Sequence, residues 1–444
     1  MKTQMSGKFK NFCIPQCDLR NVNEQFVGVK FVGGKPQIHF PYGCFQNFET
    51  ASDEEVRHVF SYLMNILSDQ NLIKDAENSN YASSFEFEAK LDFPFQEFLY
   101  VLDYYLNFGL FKETEKIYKT GVHGKINWNR TIKHIRPQVV ESVRGSEIIY
   151  LNLISCCNFQ NEDQLVSLIH KFCVAQAQKL IGPLYGIEAT IESNLDFDYE
   201  LFSAVLNEKR SKTFNERKLR LFHSMQVILE YLQGNLVDGT LCDYCYGVSS
   251  FAPIWEKLLD RIFGNLRENE NKEDFNPHCG WIFPNGIKRD ADDKKFAMRP
   301  DTIMRFDDEI FVIDAKFYTK SNLPTSSSIG KQIAYAEFAE QKGFAAGDKI
   351  FNVFLLPYDR ETIRENAVPY KMKFLGTAVA DWKNGSKPYH QIIGIQLDVK
   401  SVMRHYRQNE SAQSELAKLV KNATNHASVD ENGENTVNEI SLSA

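Results

Sequence analysis

The sequence predicts an α/β domain over residues 246–407, preceded by an α+β region over residues 1–110 and a mainly helical, locally basic region over residues 111–245. Two observations predict it. From about Gly247 the chain runs helix, strands, helix and further strands, the order of an α/β domain. Before that point, short alternating strands with turn signals give way to helical spacing, which dominates residues 160–235. The 444 residues fit two to four domains at roughly 150 residues each.

In chain order, FVGVKFVGGKPQIHF (residues 26–40) reads as strand, Gly-Gly turn, strand. DEEVRHVFSYLMNILSD (53–69) places Val56, Val59, Phe60 and Leu63 on one helical face. PFQEFLYVLDYYLNFGLF (94–111) is a second amphipathic helix, stopped near Gly109. The compact basic phrase GKINWNRTIKHIRP (124–137) follows. Then come three helical stretches, residues 161–182, 192–209 and 216–235. SSFAPIWEKLLDRIFGNL (249–266) is a helix with Ser250 as its cap. The hairpin RPDTIMRFDDEIFVIDAKFY (299–318), a Ser-rich loop and the helix GKQIAYAEFAEQKG (330–343) come next. KIFNVFLLPYD, KMKFLGTAVAD and HQIIGIQLDV supply three further strands. Residues 408–444 turn polar, with few large apolar side chains, and read as a disordered tail. No internal repeat is present.

Composition excludes some classes. Hydrophobic residues make up 43% and charged residues 25% of the chain, ordinary values for a globular protein. No apolar run reaches the ~18 residues of a membrane span, and the basic N-terminus lacks the apolar core of a secretory signal. Nine irregularly spaced cysteines are no disulfide framework, so a reducing cytoplasm is the expected location. The net charge of −7 argues mildly against a nucleic-acid partner, yet charge is unevenly spread. From Lys116 to Val140 there is no acidic residue among Lys116, Lys119, Lys125, Arg130, Lys133 and Arg136. A second basic cluster, Lys209, Arg210, Lys212, Arg217, Lys218 and Arg220, is diluted by Glu208 and Glu216.

The hairpin carries the chemistry. With Asp307-Asp308 as a two-residue turn, Phe306 faces Glu309, Arg305 faces Ile310 and Asp301 faces Asp314. Side chains alternate along a strand, so Asp314 and Lys316 share a face with Asp301. A register slip of one residue would break the arrangement. Two carboxylates so close repel, and a divalent cation removes the problem. Oxygen ligands suit Mg²⁺, which polarises water and phosphoryl oxygen. Lys316 is then placed to steady the nucleophile or the charge developing on phosphate. This is the equipment of a phosphodiester hydrolase. The competing reading is a strand ending in a salt-bridged Asp-Lys pair. Glu256, on the preceding helix, reads by itself as a plain exposed carboxylate. Gln332 and Tyr335 on the following helix read by themselves as a solvent-facing pair.

Pro300-Asp301 followed by Asp314-Ala315-Lys316 resembles the PD-(D/E)xK nuclease signature. YGVSSFAPIWEKLLDRIFG, RPDTIMRFDDEIFVIDAKFY and GKQIAYAEFA, in that order, resemble the LlaJI family of restriction endonucleases. GKINWNRTIKHIRP, LVSLIHKFCV and the Phe-Pro-Tyr-Gly segment ending at Gly43 resemble it too. The resemblance covers roughly residues 25–360. It implies a restriction-endonuclease-like α/β domain in a McrC-like DNA-cleaving subunit. Partners by that resemblance are double-stranded DNA, a separate McrB-like AAA+ GTPase and a cognate DNA methyltransferase. It carries over to Glu256, Asp301 and Asp314 as metal ligands, with Lys316 and Gln332 completing the catalytic set. No GxxxxGK[ST] phosphate loop is present, which fits either a separate nucleotide hydrolase or a self-sufficient endonuclease. A nuclease fold kept as a non-catalytic adaptor is the third alternative, and the intact Asp301, Asp314 and Lys316 set argues against it.

Other signals read blandly. Cys242 and Cys245 have zinc half-site spacing, and His278 with Cys279 would complete a site, but the flanking tyrosines point to packing. Cys156 and Cys157 read as small apolar residues. His170 reads as a core histidine. Lys125, Arg130 and Lys133 read equally as phosphate-backbone contacts or as part of an interdomain turn, and Tyr335 as a weak DNA contact.

Overall fold

The computed structural model describes residues 9–17, 19, 25–45, 47–78, 87–121, 124–142, 145–161, 164–237, 240–241, 243–290, 298–318, 322–358, 370, 372–407 and 409–427. The chain forms two compact units, one from Met1–Asp92 with Tyr244–Ala444 and the other from Phe93–Asp243. The expected boundaries at residues 110 and 245 are therefore corrected. The middle region is an insertion, and the residues before it fold with those after it.

The reason lies in one strand. Tyr244–Val248 pairs antiparallel with Val27–Val32, which forms a hairpin with Lys35–His39, in a five-stranded sheet. The Gly33-Gly34 turn has both residues at positive φ, as a tight hairpin of this kind demands. Gly28 and Gly247 face each other, and a Cβ on either would lie 2.3 Å from a backbone oxygen of the opposite strand. Helix Asp53–Leu67 follows as its spacing predicts, buries Val56, Val59, Phe60 and Leu63, and is capped by Ser52, which accepts from the Glu55 amide at 3.1 Å.

The C-terminal part of this unit holds the second five-stranded sheet. Its elements are α1 (Ala252–Phe263), β1 (Thr302–Phe306), β2 (Glu309–Ala315), α2 (Ser326–Gln341), β3 (Ile350–Tyr358), β4 (Lys373–Val379), β5 (Gln391–Asp398), α3 (Val399–Arg404) and α4 (Glu410–Ala427). The strand order is β1-β2-β3-β5-β4. The pairs β2/β3 and β3/β5 are parallel, whereas β1/β2 and β4/β5 are antiparallel. Central parallel strands are buried on both faces, which explains the near-continuous apolar runs in β2, β3 and β5. One face packs Ile303, Ile310, Val312 and Ile350 against Tyr335, Ala336 and Ala339 of α2. Thr302, on the opposite face of β1, hydrogen-bonds Asp260 of α1 at 3.0 Å.

Two expectations here are corrected. The cap of α1 is Phe251, and the Ser250 hydroxyl makes only a long 3.4 Å contact with the Ala252 amide. The tail expected to be disordered contains α4. Ala412, Leu416, Ala417 and Val420 recur at helical spacing and are fully buried. Gln413 donates to the carbonyls of Ile262 and Phe263, the orphan acceptors that end α1. Residues 428–444 lie outside the described residues.

The other unit, Phe93–Asp243, is less purely helical than expected. Helices Phe95–Phe108, Leu165–Leu180, Tyr199–Ser211 and Glu216–Asn235 are present. The stretch from residue 192 becomes helical only after Asp198, which caps by accepting from the Leu201 amide at 3.0 Å. Residues 113–161 instead form a three-stranded sheet, Glu113–Thr120, Ile154–Asn161 and Lys125–Ile126, and a hairpin, Gln138–Ser142 with Gly145–Ile149. Tyr118, Ile126, Val139, Val140, Ile148 and Ile149, residue types that pack well on a pleated surface, are spread through these strands among charged and polar ones.

Candidate active site

The hairpin register is the one the sequence predicts. Phe306 pairs Glu309, Arg305 pairs Ile310 and Thr302 pairs Ile313. Asp307 takes the left-handed conformation that a two-residue turn needs, with φ of 53°. One step further, Asp301 and Asp314 come together. The Asp301 Oδ2 accepts from the Ala315 amide at 2.9 Å, and the two carboxyl groups lie within hydrogen-bonding reach of each other. Lys316 Nζ pairs with Asp314 Oδ2 at 2.6 Å. These side chains continue the row of Ile310 and Val312, so the face that packs on α2 turns ionic at its end.

Burial sets the electrostatics. Asp301 and Asp314 are each 8% exposed. Desolvation first, then the charge of Asp301, pushes the Asp314 carboxyl well above the usual range, although Lys316 opposes. Burial works against the charge on Lys316, yet Asp314 and Asp301 hold its ammonium above the ordinary lysine value. Glu256, expected as a plain exposed carboxylate if it stood alone, is only 5% exposed. Its carboxyl is pushed up to about 7 by burial and by Asp301, and Lys257 pairs with it at 2.7 Å.

Gln332 and Tyr335 are not a solvent-facing pair. Gln332 is fully buried and donates through Nε2 to the Val312 carbonyl at 2.6 Å, which pins α2 to β2. Its Oε1 has no partner among the described residues. Tyr335 packs in the core beneath the carboxylates, which raise its hydroxyl further after burial has done so. Lys125, Arg130 and Lys133 lie in the other unit, on a short strand and the helix Trp128–His134, and all three are exposed.

Three groups missed by sequence reasoning support this site. Lys272 pairs with Asp260 at 3.0 Å and donates to the Asp301 carbonyl, and Asp260 also accepts from Thr302 at 3.0 Å. The lock fixes the backbone that presents the Asp301 carboxylate. Lys272 sits in the polar phrase RENENKEDF, which carries no signal of its own.

The donor set suits a hard divalent cation in part. Asp301 and Asp314 are two close carboxylates in a desolvated pocket, a like-charge pair that such a cation relieves. The three-carboxylate set expected with Glu256 is not assembled: among the described residues no three His, Cys, Asp or Glu side chains come together tightly enough to hold a metal. Glu256 is instead committed to Lys257. For the discounted zinc site, Cys242 lies outside the described residues, Cys245 is in a strand and Cys279 is exposed. His170 is a core residue that accepts from the Phe111 amide at 2.8 Å, and burial lowers it to about 4.

A family profile described as LlaJI restriction endonuclease matches residues 26–381. The chain belongs to the LlaJI restriction endonuclease family. No curated protein matches it. The LlaJI match starts at the first hairpin and contains Glu256, Asp301, Asp314 and Lys316, as well as α2 and the insertion. It ends before β5 and α4, so the elements that complete the sheet and cap α1 lie beyond it. Membership makes this LlaJI-family chain a DNA nuclease of mixed α/β architecture. No helix among the described residues is long and apolar enough to cross a membrane.

Proposed function

We propose that this chain is a Mg²⁺-dependent DNA endonuclease with a PD-(D/E)xK active site, the McrC-like cleavage subunit of a cytoplasmic restriction system. The observation that carries the reading is the Asp301, Asp314 and Lys316 cluster at the end of one sheet face. Asp301 and Asp314 would hold the metal, with Glu256 joining only if it leaves Lys257. Bound there, Mg²⁺ supplies charge to activate water and to neutralise a phosphoryl oxygen. Lys316 is held in its charged form. It therefore stabilises developing negative charge on phosphate rather than taking a proton from water. Tyr335 and Gln332 act from behind, one filling the floor and the other fixing α2 on β2. A separate McrB-like AAA+ GTPase and a cognate methyltransferase complete the system.

The test is cleavage of plasmid DNA with Mg²⁺ by the chain and by Asp314→Asn, each alone and with the neighbouring nucleoside triphosphatase and its nucleotide. The expected result is cleavage that needs the partner and falls at least about a hundredfold in the variant. Cleavage by the chain alone would establish a self-sufficient enzyme instead. Equal cleavage by parent and variant would reject the active site.

A further inference from the structure

The two basic clusters seen in the sequence differ once folded. In the second, Lys212 pairs with Glu208 at 2.6 Å and Arg220 with Glu97 at 3.0 Å. Arg217 and Lys218 lie over the rings of Phe108 and Phe111. That cluster is largely spent on its own unit. In the first, Lys125, Arg130 and Lys133 are exposed and have no acidic partner among the described residues.

Their placement is built rather than accidental. Tyr118 and Lys125 pair with Cys156 from its two sides, so both side chains stand on one face of the three-stranded sheet. The Arg130 guanidinium stacks 3.7 Å over the Tyr118 ring and so joins that face. Lys133 follows Arg130 by three residues on the same helical side. The helix is fixed beneath them, with buried Thr131 accepting from the Ile154 amide at 2.9 Å and Asn127 capping the Arg130 amide at 3.0 Å. The central strand Ile154–Asn161 has no charged residue to neutralise the row. Three cations on one face, with no acidic partner among the described residues, match a polyanion with regularly spaced charge.

We propose that the Lys125, Arg130 and Lys133 face is a second DNA-contact surface that grips the phosphate backbone of duplex DNA, separate from the cleavage site. It rests on the nuclease reading only in taking DNA as the ligand. The row contacts phosphates without reading bases, and its role is to raise affinity and hold the duplex.

The experiment measures binding of a fluorescent DNA duplex to the full chain over a range of salt concentrations, by anisotropy. All proteins carry Asp314→Asn, so binding is read without cleavage. The Lys125→Gln, Arg130→Gln, Lys133→Gln variant should bind at least about tenfold more weakly and flatten the log affinity against log salt slope by about 2 to 3. A control removing three charges from the other cluster, Lys209→Gln, Lys212→Gln and Lys218→Gln, should keep the parent slope. Matching circular dichroism melts establish that both variants are folded. A parental slope in the first variant, or an equal loss in the control, overturns the proposal, and the first outcome would leave the face for a protein partner. Loss of binding here, together with no plasmid cleavage by the parent that keeps Asp314 even with its partner and nucleotide, would sustain this surface while removing the nuclease reading.

Discussion

Glu256→Gln should make the metal-free protein more stable, and increasingly so as pH rises. Burial and the nearby Asp301 push the Glu256 carboxyl from 4.5 up to about 7, despite the pairing with Lys257. A carboxyl raised in the folded state binds its proton more tightly there. Its contribution is favourable to folding below the unfolded value and is lost as pH climbs through the folded one. At about 1.4 kcal/mol per pH unit, ionising Glu256 costs about 1 kcal/mol near pH 5.5 and about 3 kcal/mol near pH 8. Glutamine cannot ionise, so the variant should gain about 2 kcal/mol on the parent between those two conditions. The pairing with Lys257 is already contained in that raised value, so it adds no separate pH-dependent contribution. The assay is urea unfolding with chelator present, followed by the fluorescence of Trp255, which is fully buried beside Glu256. An equal difference between variant and parent at the two pH values would refute the reasoning, because the carboxyl would then titrate alike in folded and unfolded chains.

Lys272→Met should slow cleavage about tenfold or more by loosening the backbone at Asp301, while duplex binding stays near parental and Lys272→Arg restores part of the rate. Equal losses of binding and rate would make Lys272 a DNA contact instead of a positioning residue. Ending the chain after Asn409 removes α4 with buried Leu416 and Val420, and should cost about 4 kcal/mol of stability, read as a lower denaturant midpoint. An unchanged midpoint would show that the helix is not docked on α1.

The cluster was legible because a two-residue turn fixes a register. Asp307-Asp308 determines that Asp301 meets Asp314, and alternation then places Lys316 beside them. The apolar runs of β2, β3 and β5 were enough to mark strands, which the sheet then buries on both faces. What escaped reading depended on contacts distant in sequence. Tyr244–Val248 pairs with Val27–Val32 across the whole insertion, and local composition does not record which strand a short apolar run will join. Helix α4 looked polar because only one stripe, Ala412, Leu416, Ala417 and Val420, is apolar. Glu256 has the same limit: its helix shows a carboxylate, and only the packing of α1 near Asp301 shows that it is buried.

The site thus sits where the rules of a core are broken in a defined place. Along β2 the side chains facing α2 are Ile310 and Val312, then Asp314, with Lys316 just past the strand end. Burial of the first two makes the surroundings of the next two poorly solvated, and this raises Asp314 while the carboxylates keep Lys316 charged. The same desolvation that destabilises the carboxylates strengthens their attraction for any cation that enters. Metal should therefore stabilise the parent chain more than Asp314→Asn, and Glu256→Gln tests whether Glu256 leaves Lys257 to join. The ordering of those two variants, read as Mg²⁺-induced shifts in unfolding midpoint, reports which carboxylate is a ligand. A full shift retained in Glu256→Gln would leave Glu256 with Lys257 and make Asp301 and Asp314 the metal pair.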